Sequence, residues 1–100
     1  MAYVTQMCGL NFHLDFKEHA GVCRDAANDM GSRIGNGISS YSCMEMCNQN
    51  TDCVAVSWYS GGAEPIGDCY KISSMVSADG NTRWKCFKNQ GSGKIIFYSF

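Results

Sequence analysis

The stretch Cys43-Met-Glu-Met-Cys47, followed by Cys53-Val-Ala-Val-Ser-Trp58, decides the fold of this chain. Residues four apart on a helix are neighbours, so the first two cysteines share a helix face if their segment is helical. The third cysteine opens a run of β-branched and aromatic residues, which favours a strand. A short loop returns this strand past the helix, where disulfides can join the two. The arrangement is typical of a small disulfide-built binding module.

Size and cysteine content predict that disulfides are decisive for stability. The chain has 100 residues, one proline and 7 cysteines, which indicates one domain in an oxidising compartment. In the chain-entropy model, a bridge that closes about 60 residues contributes about 4 kcal/mol, and one that closes about seven contributes about 2 kcal/mol. Since whole domains are stable by only about 5 to 15 kcal/mol, we expect the bridges to decide whether this chain folds.

Charge and hydropathy argue against two classes of partner. The formal net charge is -1, with 8 basic and 9 acidic side chains spread along the chain. No basic stripe is present to neutralise phosphates, so we do not expect nucleic acid as a partner. The longest apolar runs, such as Ile95 to Tyr98, are far too short to span a bilayer, so we expect no membrane insertion.

The first residues carry no recognisable targeting signal. Residues 1–6 lack the basic start and the apolar run of a signal peptide. Either Met1 starts a mature segment without its leader, or the chain stays outside the secretory route. The first interpretation is favoured, because so many reduced cysteines would need a metal or catalytic reason. We therefore expect a secreted or cell-surface location.

Local patterns predict one short helix and several strands. Ser42 with Glu45 three residues later is a capping box, which predicts a helix over 42–49. Asparagine and glycine residues between 24 and 40 predict loop and turns. Alternating or β-branched runs predict strands over 11–20, 53–59, 68–73, 82–88 and 94–100, with a weaker strand or arm over 3–7. The predicted fold class is α+β, with the helix packed on an antiparallel sheet of about five strands.

Strand parity assigns side chains to the two faces of the sheet. Along 53–59, one face carries three residues that we expect to be buried, namely Val54, Val56 and Trp58. Along 82–88, Trp84 faces inward if Cys86 is bridged inward. Arg83 and Lys85 then face outward.

The cysteine pattern resembles the PAN/apple domain family. The resemblance is carried by Cys43-x3-Cys47-x5-Cys53, the strand Val54 to Trp58 and the motif Asp68-Cys-Tyr-Lys71. In that family a helix bearing two cysteines packs on an antiparallel sheet. The resemblance covers roughly residues 21 to 88. It implies a small disulfide-rich PAN/apple-like domain over 21–100, preceded by an N-terminal extension or strand over 1–20.

The resemblance also implies how the cysteines pair. The implied bridges are Cys43–Cys69, Cys47–Cys53 and, joining the ends of the domain, Cys23–Cys86. Cys8, the seventh cysteine, is the alternative partner of Cys86, because about twenty residues precede the usual start of the domain and the strand predicted over 94–100 extends past the expected terminal bridge.

Members of the family bind proteins or carbohydrates and do not use the domain for catalysis. The resemblance therefore implies a non-catalytic recognition module for adhesion or docking. The candidate ligand-binding residues are aromatic and polar side chains near the loops 60–68 and 76–82, or facing outward beside them: Tyr59, Asp68, Lys71, Asn81, Arg83 and Lys85. Arg beside aromatics suits a protein-docking hot spot. The same groups suit a lectin-like sugar site, so both alternatives stay open.

The odd cysteine, Cys8, supports the rival hypotheses. A free thiol is one possibility, and a disulfide to a second chain, giving a homodimer with an assembly role, is another. His13 and His19 lie near it in sequence, as a thiol enzyme would need, but no third orienting residue is marked. None of the usual zinc spacings, such as Cys-x2-Cys, occurs. We therefore expect that the chain is not an enzyme and that it binds neither a metal ion nor a cofactor.

Overall fold

The computed structural model describes residues 15–61 and 65–90. In chain order its elements are β1 Phe16–Ala20, β2 Cys23–Arg24, β3 Ser32–Ile38, α1 Ser40–Asn48, β4 Ala55–Tyr59, β5 Gly67–Ile72, β6 Ser77–Ala78 and β7 Trp84–Asn89. Five strands form an antiparallel sheet in the order β1-β7-β4-β5-β3, and β2 pairs with β6 as a separate ribbon. The predicted α+β class, with one short helix on a five-stranded antiparallel sheet, is confirmed.

The helix begins earlier than the capping box predicted. Its N-cap is Ser39, whose hydroxyl oxygen accepts a hydrogen bond from the backbone N–H of Ser42 over 3.1 Å. The prediction of Ser42 as the cap was therefore wrong by one turn. Several serines stand together here, and the one that follows directly on β3 satisfies the free backbone donor.

The prediction of loop throughout 24–40 was also wrong, since Ser32–Ile38 forms β3 against β5. The register between these strands shifts between Arg33 and Gly35, and again between Gly35 and Ile38. Such irregularities disturb the period of two that a sequence pattern needs. The strands predicted over 3–7 and 94–100, and the first part of the one over 11–20, lie outside the described residues.

One face of the sheet packs against α1. Its buried cluster consists of Cys43, Cys47, Cys53, Val56, Trp58, Cys69 and Phe87. Two bridges lie in this cluster: Cys43–Cys69 ties the helix to β5, and Cys47–Cys53 ties it to the segment before β4. The indole N–H of Trp58 donates a hydrogen bond to the Ile38 carbonyl over 2.9 Å, which fixes the end of β3 beneath the helix.

The opposite face of the sheet is covered in part by the β2–β6 ribbon. Its buried cluster contains Cys23, Ala55, Ile72 and Cys86. The third bridge, Cys23–Cys86, fastens the ribbon to β7 across a sequence separation of 63. The three bridges thus join the pairs that the family resemblance implied, and Cys86 is bonded to Cys23 rather than to Cys8.

Both sheet faces are therefore occupied, which corrects the parity argument. Val56 and Trp58 are buried on the helix face, as predicted, but Val54 precedes β4 and packs against the other cluster. On β7, Phe87 is 6% exposed and belongs to the helix-side core. A single inward face could not accommodate both Phe87 and Cys86, so neither face of β7 is simply outward.

A tight turn holds the ribbon in place. One carboxylate oxygen of Asp79 accepts hydrogen bonds from the backbone N–H groups of Val22, over 2.9 Å, and Asn81, over 3.0 Å. The other oxygen pairs with Arg24 at 3.2 Å. Gly21 adopts φ +110° here, and a β-carbon at this position would overlap the backbone of Gly80. Only glycine allows the two segments to approach this closely.

Among the described residues, no helix is both long and apolar enough to cross a membrane.

Candidate functional site

Three aromatic side chains from neighbouring strands meet on the sheet face opposite α1. Tyr59 on β4 lies directly across from Trp84 on β7. Tyr70 on β5 lies directly across from Ser57, two residues before Tyr59. Residues in register, and residues two apart on one strand, share a sheet face. We call Tyr59, Tyr70 and Trp84 the aromatic cluster.

The rings of the aromatic cluster contact one another. Tyr59 stacks on Trp84 with ring centroids 4.7 Å apart and an interplanar angle of 30°. Tyr70 lies on Trp84 in a tilted arrangement, with centroids 5.6 Å apart and an angle of 56°. Aromatic pairs at these separations attract each other beyond their burial, by about 0.5–1.5 kcal/mol per pair. All three side chains remain partly exposed, so the cluster is both ordered and accessible.

Two small residues lie next to the aromatic cluster. Ser57 on β4 lies directly across from Tyr70 on one side and from Cys86 on the other. Gly61 adopts φ +63°, and a β-carbon there would lie 3.3 Å from the Tyr59 ring. The chain can therefore turn directly beside the Tyr59 ring because position 61 has no side chain.

A charged pair borders the aromatic cluster on the β5 side. Asp68 lies directly across from Tyr59, and Arg33 lies directly across from Tyr70. The guanidinium of Arg33 approaches the carboxylate of Asp68 to 3.7 Å, and the Arg33 side chain is 53% exposed. An exposed ion pair of this kind adds little to folding stability, so both groups stay available to an incoming ligand.

Of the six ligand-binding residues predicted from the sequence, the structure brings Tyr59 and Asp68 together. Asn81 lies in the turn before β7, where its side-chain oxygen accepts a hydrogen bond from the backbone N–H of Arg83 over 2.9 Å. Arg83 immediately precedes Trp84 and is exposed. These two residues belong to the turn that leads into β7.

The two predicted lysines lie on the other face of the sheet. Lys71 is in register with Val56, and Lys85 is in register with Trp58, so both belong to the helix side. The ammonium of Lys71 binds the carboxylate of Asp52 at 2.9 Å. This hydrogen bond, reinforced by the charge, lowers the pKa of the Asp52 carboxyl below its ordinary value. No single ligand surface contains all six predicted residues.

Sequence reasoning did not select Tyr70, Trp84 and Arg33 as ligand-binding residues. Two of these positions could have been found from the sequence. Tyr70 alternates with Cys69, and Trp84 shares a strand face with Cys86, so a sheet with a disulfide on each face places both aromatic residues on the face opposite the helix. Arg33 carried no such signal, because β3 was not predicted.

Of the two histidines that lie near Cys8 in the sequence, the structure describes His19. His19 on β1 lies across from Cys86, which is bonded to Cys23. Cys8 and His13 lie outside the described residues. In 15–61 and 65–90, no group of three or more histidine, cysteine or acidic side chains is placed to hold a metal ion.

No protein-family model matches the chain, and no curated protein and no solved structure is significantly similar to it.

Proposed function

We propose that this chain is a non-catalytic extracellular recognition module of the PAN/apple type, which docks a protein partner through the aromatic cluster. The observation that carries the proposal is the partly exposed contact of Tyr59, Tyr70 and Trp84 beside the Arg33–Asp68 pair. Trp, Tyr and Arg dominate the energetics of protein interfaces. A preorganised cluster also loses little side-chain entropy on binding.

The disulfides support the location and the family. Three bridges in a domain of this size are compatible with an oxidising, extracellular environment. Cys43–Cys69 and Cys47–Cys53 fasten the helix to the sheet in the way that the PAN/apple resemblance implies. The bridges hold the strands that carry the aromatic cluster, so a partner meets a surface that is already formed.

Ring geometry favours a protein over a sugar as the ligand. Trp84 stacks on Tyr59 and makes a tilted contact with Tyr70, so one ring face of Tyr59 and one of Trp84 are engaged within the cluster. A sugar ring requires an open aromatic face to lie on, whereas a protein side chain can pack against ring edges. A glycan is the second candidate, because Asp68 directly beside Tyr59 offers a hydrogen-bond acceptor to hydroxyl groups.

An array of extracellular proteins and an array of glycans, both probed with the oxidised chain, test the proposal. We expect at least one protein to bind, and binding to weaken about tenfold or more in Tyr70→Ala, since hot-spot truncations cost about 2 kcal/mol or more. Tyr41→Ala is the matched control, because Tyr41 is 54% exposed and lies on α1, on the other side of the sheet.

Two outcomes contradict the proposal. One is a protein partner whose binding survives both Tyr70→Ala and Tyr59→Ala while circular dichroism shows both variants folded. The other is binding confined to glycans, which would establish the second candidate instead.

A further inference from the structure

A recess lies at the opposite end of β7 from the aromatic cluster. It is bounded by β1 and β7 on one side and by β6 and the segment that leads into it on the other. Its volume is about 320 Å³, which falls within the range of small-molecule sites, about 300 to 1,000 Å³. The sheet side contributes Lys17, His19 and Lys88, and the facing segment contributes Met75 and Val76. We call this the basic recess.

Two positive charges face each other across the strands of the basic recess. Lys17 on β1 is directly in register with Lys88 on β7. Like charges directly opposite one another in a sheet are destabilising. In the part of the chain that the structure describes, the ion pairs use Arg24, Arg33 and Lys71, and neither lysine of the recess takes part. Asp15, two residues before Lys17, does not line the recess.

The facing wall of the recess carries the apolar side chains of Met75, Val76 and Ala78 beside Ser77. Val76 is 67% exposed, and among the described residues the other exposed large apolar side chains are Tyr41 and Ile66. Met75 is partly buried and packs against the second buried cluster, which holds its side chain in place. The recess thus combines positive charge on the sheet side with a largely apolar facing wall, and a small organic anion presents the complementary groups.

We propose that the basic recess binds a small ligand that carries an oxyanion group, a carboxylate, phosphate or sulfate, together with an apolar portion. The ammonium groups of Lys17 and Lys88 hold the oxyanion through charge-assisted hydrogen bonds, and His19 adds a ring N–H donor. The apolar portion lies against Val76. This site is separate from the aromatic cluster and does not depend on the function proposed for it.

An anion bound between Lys17 and Lys88 also replaces the repulsion between the two ammonium groups with attraction of both to the anion. Removal of one lysine should therefore have two opposite effects: the free protein gains stability, and the stabilisation by anions is lost. Repulsion between the lysines alone predicts the gain in stability but not the loss of stabilisation by anions. This pairing of effects distinguishes a binding site from an ordinary solvated surface.

The test is a titration of the oxidised full chain with sodium phosphate, sodium sulfate and sodium acetate, with sodium chloride keeping the ionic strength constant. Amide chemical shifts and the melting temperature are followed. We expect saturable shifts at Lys17, His19, Val76 and Lys88, and a rise in melting temperature with at least one of the three anions. The three arms identify which oxyanion the site prefers.

Lys17→Gln and Lys88→Gln should weaken anion binding about tenfold or more, because each removes a charge-assisted hydrogen bond. Each should also raise the melting temperature of the anion-free protein by about 1–4 °C. Lys85→Gln is the matched control, since it removes the same charge from the same strand but on the helix face. The proposal is overturned if none of the anions gives saturable shifts at the recess, or if Lys85→Gln weakens binding as much as Lys88→Gln.

Discussion

The hydroxyl oxygen of Ser57 accepts a hydrogen bond from the backbone N–H of Cys23 over 2.8 Å, in the interior between the sheet and the β2–β6 ribbon. Ser57 is 1% exposed and Cys23 is fully buried. A polar side chain in the middle of β4 thus docks the ribbon, and the same residue lies directly across from Tyr70 of the aromatic cluster. One serine therefore links the second core to the aromatic cluster.

Ser57→Ala should destabilise the chain by about 1–3 kcal/mol, because the N–H of Cys23 would remain buried without an acceptor. Chemical denaturation of the oxidised protein measures this. Ser73→Ala is the control, since Ser73 is exposed and lies just after β5. Equal effects of the two substitutions would show that the buried hydrogen bond adds nothing.

Removal of the bridges should cost unequal amounts of stability. The double variant Cys23→Ala with Cys86→Ala opens a loop with a sequence separation of 63, and the variant without Cys47–Cys53 opens one with a separation of 6. The chain-entropy model gives losses of about 4 and about 2 kcal/mol. Denaturation curves of the two variants provide the comparison. A larger loss for the short bridge would mean that native packing, and not loop entropy, sets the order.

Acid should destabilise the fold in part through Asp79. The pKa of its carboxyl lies below the ordinary 3.8, chiefly because the backbone N–H of Val22 donates to it, followed by Asn81 and Arg24. A carboxyl whose pKa is lowered by folding stabilises the folded state above its unfolded pKa, and this contribution disappears as the pH falls through the folded pKa. Asp79→Asn should therefore lose less stability than the wild type between about pH 5 and about pH 2.

Denaturation midpoints measured across that pH interval check the prediction for Asp79. Glu18→Gln, which changes an exposed acid on β1, serves as the control. If Asp79→Asn and the wild type lose stability in parallel as the pH falls, the turn at Asp79 is not linked to acid unfolding.

The number of free thiols depends on Cys8. Six of the 7 cysteines take part in the three bridges, which leaves one sulfhydryl per chain if Cys8 is not cross-linked. We expect thiol titration under denaturing conditions to find one, and non-reducing electrophoresis to show a monomer. A dimer that dissociates only in reductant, with no free thiol, would instead support the assembly role. Five or more thiols would contradict the bridged fold.

The helix and the central strands could be predicted because the spacing of their apolar residues and cysteines matches the faces that are buried in the fold. Cys43 and Cys47, four apart, lie on one helix face, and the apolar alternation of Val56 and Trp58 points them at that helix. The pairing of the cysteines needed the family resemblance, since seven cysteines allow many combinations and spacing alone does not choose among them.

Strand β3 and the second buried face of the sheet could not be predicted from the sequence, for physical reasons. The register shifts around Gly35 erase the alternation that would mark β3, so Arg33 could not be placed beside the aromatic cluster. The second face of the sheet was missed because its cover, the β2–β6 ribbon, has strands of only two residues each. Lys71 and Lys85 were therefore predicted to lie with Tyr59 and Asp68, whereas the two lysines lie on the helix side of the sheet.

The uneven register of β3 has a consequence for how copies of this domain behave when crowded. In the described sheet β3 is an edge strand, where a regular backbone would offer itself to a strand of a neighbouring molecule. Its two irregularities and the charge of Arg33 interrupt that template. Concentrated solutions should thus resist edge-to-edge aggregation through β3, and straightening this strand by design would invite it.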